Sequence, residues 1–278
     1  MTLTGRSALA GVMGWPVAHS RSPRLHGFWL EQHGIDGAYV PLPVRPDDFA
    51  AALRALAALD FRGVNVTLPH KRAALETCDD LDAHARRIGA VNTVVMRERH
   101  LLGSNTDAVG FLENLREQAP DWHAEAGAAV VLGAGGAARA VLVALLDAGV
   151  PGIRLVNRTA RKAEALAEEF GGPIEVGSWG DWRGVLDGSA LLVNTTSLGM
   201  EGQPSLELDL DALPRRAVVY DIVYQPLETG LLAAARRRGH TVVDGLGMLL
   251  HQARPGFEAW FGVRPEVTGA LRAFVMQD

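Results

Sequence analysis

Two stretches of this chain carry residues whose types and order suit chemistry. In Gly63-Val-Asn-Val-Thr-Leu-Pro-His-Lys71, a strand with Val64, Val66 and Leu68 on one face carries Asn65 and Thr67 on the other, and ends at a proline beside His70 and Lys71. A buried parallel strand has no structural reason to carry two polar side chains. Strand C-termini are also where open α/β sheets bind ligands. Lys71 and His70 at this tip are both candidate bases. The second stretch is an apolar run, Ala128-Ala-Val-Val-Leu132, followed at once by Gly133-Ala-Gly-Gly-Ala-Ala138 and then by a helix former with Val141, Leu142, Leu145 and Leu146 on one face. Strand, glycine turn and helix form a dinucleotide-binding unit, in which bare backbone at Gly133, Ala134, Gly135, Gly136 and Ala137 and the helix N-terminus accept a pyrophosphate.

The residues after the next strand, Ile153-Arg-Leu-Val156, identify the cofactor. NAD enzymes usually carry an acid there to hold the ribose 2′-hydroxyl. Here the chain reads Asn157-Arg158-Thr159, with Arg161 and Lys162 close behind. Guanidinium groups bind a 2′-phosphate through paired hydrogen bonds, whereas cations in a first helical turn oppose the macrodipole. The expected cofactor is therefore NADP. Thr195 opens the loop after the strand at 191–194, where the same cofactor is expected to pass.

Other polar positions interrupt otherwise apolar elements. His19-Ser-Arg-Ser-Pro23 precedes a helix over 25–32. Capping accounts for Ser22, and leaves Ser20 to form, with it, a neutral cradle for a carboxylate. Asn92 is the polar exception in a strand at 89–95, and Asp107 precedes a helix to Gln118, either as its N-cap or as a functional acid. The acidic start of a helix at 79–88 (Asp79, Asp80, Asp82) suits the macrodipole and needs no further role.

The elements that position these groups alternate strand and helix along the chain. Strands are expected at 8–13, 37–42, 174–176, 217–223 and 241–243, and helices at 46–59, 160–170 and 226–238. Residues 199–209 read as a mobile surface loop. The apolar helical segments 245–253 and 257–261 exceed what the nucleotide domain needs and are expected to return to the first domain, with Trp260, Phe261, Leu271 and Phe274 in its core. The chain has 278 residues, 48% apolar and 21% charged, with a net charge of −5. Those values suit a two-domain globular enzyme and give no basic footprint for nucleic acid. A single cysteine, Cys78, excludes an internal disulfide. No signal peptide is read at 1–14, and no apolar stretch is long enough to span a bilayer. A cytoplasmic monomer or homodimer is expected.

Taken in order, Gly63-Val-Asn-Val-Thr-Leu-Pro-His-Lys71, Ile88-Gly-Ala-Val-Asn-Thr93, Asn105-Thr-Asp107 and Gly133-Ala-Gly-Gly-Ala-Ala138 resemble the shikimate dehydrogenase family. So do His19-Ser-x-Ser-Pro23, Asn157-Arg-Thr159, Asn194-Thr-Thr-Ser-Leu-Gly-Met200, Asp221-Ile-Val-Tyr224 and Gly245-Leu-Gly-Met-Leu-Leu-His-Gln252. Gly27 and Ser197 depart from residues common in that family. The resemblance implies reversible NADP-dependent oxidation of shikimate to 3-dehydroshikimate, a step of chorismate and aromatic amino-acid biosynthesis. It implies a catalytic pair in Lys71 and Asp107, and carboxylate contacts from Ser20 and Ser22. It also implies ring-hydroxyl contacts from Asn65, Thr67, Asn92, Asp107 and Gln252, with Tyr224 close to the substrate. Gly133 to Ala137, Asn157 and Arg158 match cofactor contacts, and Gly245 with Met248 matches the nicotinamide end.

The residues agree with this independently. Oxidising a secondary alcohol needs a hydride acceptor and a group to take the hydroxyl proton. The sequence has no zinc-ligand cluster to acidify the alcohol, so a side chain must do it. Lys71, as a lysine in a desolvated site steadied by a carboxylate such as Asp107, is the candidate, either as the base or as an electrostatic and hydrogen-bonding anchor. The expected fold is α/β with two domains. An N-terminal α/β substrate domain (1–106 and 246–278) accompanies a Rossmann-like, doubly wound nucleotide-binding domain (107–245), and the C-terminal helices return to the first. A quinate or dual quinate/shikimate dehydrogenase is the nearest alternative. A non-catalytic ligand sensor would have no need of Lys71, Asp107 and the glycine loop together.

Overall fold

Short apolar runs separated by helix formers become parallel strands when each helix carries the chain back across the sheet. The computed structural model of the chain describes residues 3–277 and separates into two compact units, Met1–Thr106 with Leu250–Asp278, and Asp107–Leu249. The first unit runs β1 (Ala8–Gly14), α1 (Ser22–Gln32), β2 (Gly37–Pro43), α2 (Phe49–Ala58), β3 (Gly63–Val66), α3 (Lys71–Thr77), β4 (Asp80–Leu81), α4 (Ala83–Ile88), β5 (Thr93–Arg97) and β6 (His100–Ser104). Its sheet has the order β2-β1-β3-β5-β6-β4. β1 pairs in parallel with β2 and β3, which α1 and α2 connect. β5 and β6 pair antiparallel because only Glu98 and Arg99, both at positive φ, separate them, as a two-residue hairpin requires. Phe49, Leu53, Val64, Val66, Val91 and Val94 pack one face of this sheet.

The second unit runs α5 (Asp107–Gln118), β7 (Ala128–Leu132), α6 (Gly136–Asp147), β8 (Ile153–Val156), α7 (Ala160–Phe170), β9 (Ile174–Gly177), α8 (Trp182–Leu186), β10 (Ser189–Asn194), β11 (Val218–Asp221), α9 (Gly230–Arg237) and β12 (Thr241–Val243). All its strands are parallel, in the order β12-β11-β10-β7-β8-β9. The order reverses between β7 and β10, the switch point at which a doubly wound sheet opens a crevice at its strand C-termini. α10 (Gly245–Phe261) is one continuous helix with Pro255 inside it, and the division between the units falls within it; α11 (Gly269–Met276) follows. Arg21 of the serine segment donates to the carbonyls of Val275 (3.2 Å) and Gln277 (2.6 Å), and Arg24 to that of Phe274 (3.0 Å). They cap the negative end of α11.

Several local expectations change. The acidic segment is not one helix from residue 79. Asp80 and Leu81 pair with β6, and α4 begins only after Asp82, whose carboxylate accepts from the Ala85 amide at 2.6 Å. Asp79 instead takes a bidentate pair from Arg54 (2.7 and 2.8 Å), which holds its carboxyl down at about 2. Residues 199–209 are not merely a surface loop. Leu206, with Leu210 and Leu213 beyond it, enters the core of the second unit. Trp260 and Leu271 are buried, while Phe261 and Phe274 are half-buried. Cys78 is half-buried, and burial pushes its thiol up to about 11, which leaves it a poor nucleophile. Because Asp82 alone caps α4, Asp82→Ala should lower stability by about 1 kcal/mol. Asp80→Ala, at an exposed site, should change it by less than about 0.5 kcal/mol. Denaturant midpoints of the two variants check this.

Candidate active site

In the first unit, polar side chains converge on the ends of β3 and β5. Asn65 lies in β3 opposite Val12 and Thr93. Its Nδ2 donates to the Asn92 carbonyl (3.2 Å) and to Thr93 Oγ1 (3.1 Å). A carbonyl accepts only, so the amide orientation is fixed, and the Tyr39 hydroxyl must donate to Asn65 Oδ1 (2.6 Å). With Tyr39's proton committed, the hydrogen bond between Ser22 and Tyr39 runs from serine to tyrosine. Both N–H groups of Asn65 are thereby engaged, and its Oδ1 accepts from Tyr39. Asn92 continues the network. Its Nδ2 donates to Thr106 Oγ1 (3.0 Å) and Gln252 Oε1 (3.4 Å), while its Oδ1 accepts from Thr93 Oγ1 (3.0 Å) and the Thr106 amide (2.9 Å). Sequence reasoning assigned no role to Tyr39, Thr93 or Thr106. Thr93 and Thr106 sit inside motifs already quoted, and Tyr39 is an inward position of β2.

The serine segment reverses its expected division of labour. Ser22 is not an N-cap; it is the first residue of α1 and is buried. Ser20 Oγ accepts from the Ser22 amide at 3.3 Å, so Ser20 supports the helix start. Ser20 also keeps its hydroxyl proton without an acceptor among the described residues. Beneath Tyr39, His26 is fully buried and stacks on the phenol ring at 3.9 Å. Neither ring nitrogen meets a partner at hydrogen-bond geometry, and Asn65 is the polar group facing it. Burial holds this histidine neutral, its pKa lowered to about 3.

At the tip of β3, His70 and Lys71 part company. His70 is buried, stacks on Phe49 at 4.6 Å and bonds the Val44 carbonyl through Nε2 (2.8 Å). That bond requires the Nε2 proton, and burial with the stack on Phe49 makes His70 part of the core. Lys71 is half-buried and opens α3, where the helix dipole disfavours a cation; helix stability does not account for it. Thr67 lies just past β3 and is half-buried, its amide bonded to Met13 O (2.9 Å). Gln252, on α10, is half-buried.

In the second unit, the glycine turn occupies the switch point. Gly133 has φ +108°, and a Cβ there would lie 2.7 Å from Thr195 Oγ1. The fold itself demands that glycine. At Gly135 and Gly136 a Cβ would meet nothing within 4 Å, so packing does not require them bare; close approach of a pyrophosphate does. α6 starts at Gly136 with no side-chain cap and no acid in its first turn, which suits an anion at its N-terminus. Ala134 is half-buried and Ala137 lies in the first turn of α6. Thr195 is buried, and its hydroxyl donates to the Leu132 carbonyl (2.6 Å), tying the loop after β10 to β7.

After β8, Asn157 Nδ2 bonds the Thr159 carbonyl (2.9 Å). Arg158, Thr159, Arg161 and Lys162 are exposed, and the three cations make no ion pair among the described residues. This positive, uncompensated edge fits a 2′-phosphate. Asp107, half-buried, opens α5, and Tyr224, half-buried, follows β11. Met248 is buried on the first turns of α10, whose start Asp244 caps through the Leu246 amide (3.0 Å). Gly245 packs against the chain after β11, where a Cβ would stand 2.1 Å from Ile222 O. Gly245→Ala should therefore destabilise the protein by about 3 kcal/mol through overpacking. A thermal unfolding midpoint equal to that of the unsubstituted protein would contradict this.

Comparison with known proteins extends this picture along the whole chain. A family model described as the shikimate dehydrogenase substrate binding domain matches residues 12–94, one described as shikimate / quinate 5-dehydrogenase matches 115–198, and one described as the shikimate 5′-dehydrogenase C-terminal domain matches 245–273. The chain is 62% identical over 275 residues to the shikimate dehydrogenase (NADP(+)) of Paramagnetospirillum magneticum, covering 99% of this chain and 100% of that one. Among solved structures, shikimate 5-dehydrogenase from Thermus thermophilus, in complex with NADP(H) and shikimate, superposes with a TM-score of 0.85 at 40% identity, over 96% of this chain and 98% of that one. Quinate dehydrogenase from Corynebacterium glutamicum, in complex with NAD, gives 0.89 at 32% identity over 96% and 98%.

Proposed function

The chain belongs to the shikimate dehydrogenase family, and from that premise we propose that it interconverts shikimate and 3-dehydroshikimate with Lys71 and Asp107 as its catalytic pair. It is an NADP-dependent oxidoreductase acting on a CH–OH group. The observation that carries the site assignment is the coincidence of a saturated polar network around Asn65 and Asn92 with a lysine that helix stability does not explain.

NADP, when bound, supplies the acceptor for the hydride leaving the carbinol carbon. Lys71 takes the hydroxyl proton as the carbonyl forms and returns it in the reverse direction, while Asp107 holds the ammonium and bonds the same hydroxyl. Ser20 offers its free hydroxyl proton to the substrate carboxylate. Ser22, donating to Tyr39, completes that cradle only by turning its proton outward. Asn65, Thr67, Asn92 and Gln252 hold the ring hydroxyls, with Tyr224 near the substrate. Gly133, Ala134, Gly135, Gly136 and Ala137 hold the pyrophosphate. Asn157, Arg158, Thr159 and Arg161 hold the adenosine ribose and its 2′-phosphate, and Thr195, Gly245 and Met248 line the path to the nicotinamide. No helix among the described residues is long and apolar enough to cross a membrane. We place the enzyme in the cytoplasm, as a monomer or homodimer.

Similarity to quinate dehydrogenase makes quinate the second substrate to test. Steady-state assays with both acids and both cofactors decide; quinate turnover exceeding that of shikimate would overturn the shikimate reading. Lys71→Ala should lower kcat by about 10² to 10⁴, with a much smaller change in the KM for shikimate. Arg158→Ala should raise the KM for NADP by roughly 10-fold or more, the worth of one charge-assisted hydrogen bond, and leave that for NAD unchanged. Equal losses with both cofactors would assign Arg158 elsewhere.

A further inference from the structure

Asp221, the last residue of β11, is fully buried, and every group bonded to it is a donor. Its Oδ1 accepts from Asn194 Nδ2 (3.0 Å) and the Val223 amide (3.1 Å), and its Oδ2 accepts from Thr229 Oγ1 (2.7 Å). Asn194 ends β10 and is the registered partner of Asp221 across the sheet. The groups that face the carboxylate, from β10, from the segment after β11 and from the head of α9, are thus an amide, a peptide N–H and a hydroxyl, and none carries a charge. A buried acid without a counter-ion is expensive to ionise. Burial raises its pKa to about 6, against the three hydrogen bonds that favour the charged form.

The directions of these bonds explain why an acid stands here. Asn194 Oδ1 accepts from the Thr196 amide (3.0 Å) and Thr196 Oγ1 (2.7 Å), so its Nδ2 must face Asp221 and the Leu198 carbonyl (3.2 Å). Thr196 Oγ1 in turn accepts from the Leu198 amide (3.1 Å). On the other side, Thr229 Oγ1 accepts from the Leu232 amide (3.3 Å), capping α9, while donating its only proton to Asp221. The carboxylate is the common acceptor at which the hydrogen bonds of the loop over 195–200 and the segment over 222–229 end. A neutral group there would have to donate through one atom, and Thr229 would have to reverse. A backbone bond from the Glu201 amide to the Gln225 carbonyl (2.8 Å) joins the two segments directly. The first of them begins at Thr195, which meets the glycine turn, and the second carries Tyr224 and the backbone against which Gly245 packs.

We infer that Asp221 is a positioning residue for the cofactor edge of the second unit, and that its carboxylate, as the shared acceptor of Asn194, Val223 and Thr229, holds the two segments in their binding arrangement. This rests on the reading of that edge as the NADP site. Burial raises the pKa of this carboxyl, so protonation favours the buried arrangement over any opening to solvent as pH falls, and the role of the carboxylate as shared acceptor is read above about pH 6, where it is charged.

The test compares the Kd for NADP of the wild-type protein and Asp221→Asn at pH 8, by fluorescence titration. The expected ratio is about tenfold, the worth of one charge-assisted hydrogen bond. A ratio near one would remove Asp221 from any positioning role. Amide hydrogen exchange of the two free proteins at pH 8 gives a second readout. Residues 196–200 and 223–229 should lose protection in Asp221→Asn while β7 and β10 keep theirs, which shows that the variant is folded, and equal protection in the two proteins would refute the inference. If the wild-type protein bound no NADP, the functional reading would fall, and the exchange measurement would still decide the role of Asp221.

Discussion

A polar side chain at the tip of a buried strand must find its hydrogen-bond partners inside the protein, and both units of this chain are built around that constraint. In the first, Asn65 is oriented by a carbonyl that can only accept, and Tyr39, Ser22, Thr93, Asn92, Thr106 and Gln252 fall into line from it. In the second, Asp221 can only accept when charged, and Asn194, Thr196 and Thr229 are oriented toward it. Low dielectric makes an unmatched group at such a place costly. Each network therefore has one arrangement of protons, and it leaves few groups to offer a ligand.

The two units present different recognition chemistry. The second offers bare backbone at Gly135 and Gly136, an uncapped helix start at α6 and exposed, unpaired cations at Arg158, Arg161 and Lys162. These suit phosphate groups, whose charge is met by dipoles and guanidinium planes. The first offers hydroxyls and amides already fixed by their neighbours, which suit a small polyhydroxylated acid. Preorganised groups of this kind lose little freedom on binding, and their misplacement is penalised in rate as well as affinity. Arg21, which sits between the two serines, is engaged with the end of α11 and supports the segment through the chain's last helix.

Much of the fold was legible residue by residue. The strands at Ala128–Leu132, Ile153–Val156 and Thr241–Val243 and the helix at Ala160–Phe170 have the expected bounds, because unbroken apolar runs and helix formers between turns admit one reading. The expectation failed at Asp79, where three acids suited a helix start equally well and a distant arginine, Arg54, chose among them. It failed at Leu206, in a Gly- and Pro-rich stretch whose leucines have no periodicity, since burial there depends on the opposite wall of the core. It failed at the serines, where capping was assigned to Ser22, and only the tertiary structure shows that Ser22 is buried in α1 while Ser20 Oγ accepts from the Ser22 amide.

By itself the sequence determined the alternation of elements, the glycine turn at Gly133, the absence of an acid after β8 and the succession of motifs that marks the family. Those are local properties, set by backbone conformation, by side-chain charge and by position along the chain. Only the tertiary structure decided that His70 belongs to the core while Lys71 does not, that Ser22 donates to Tyr39 while Ser20 keeps its proton, and that Asp221 gathers three donors. A hydrogen bond's direction and a group's burial depend on residues brought close from far along the chain, and no local pattern encodes which neighbour will arrive.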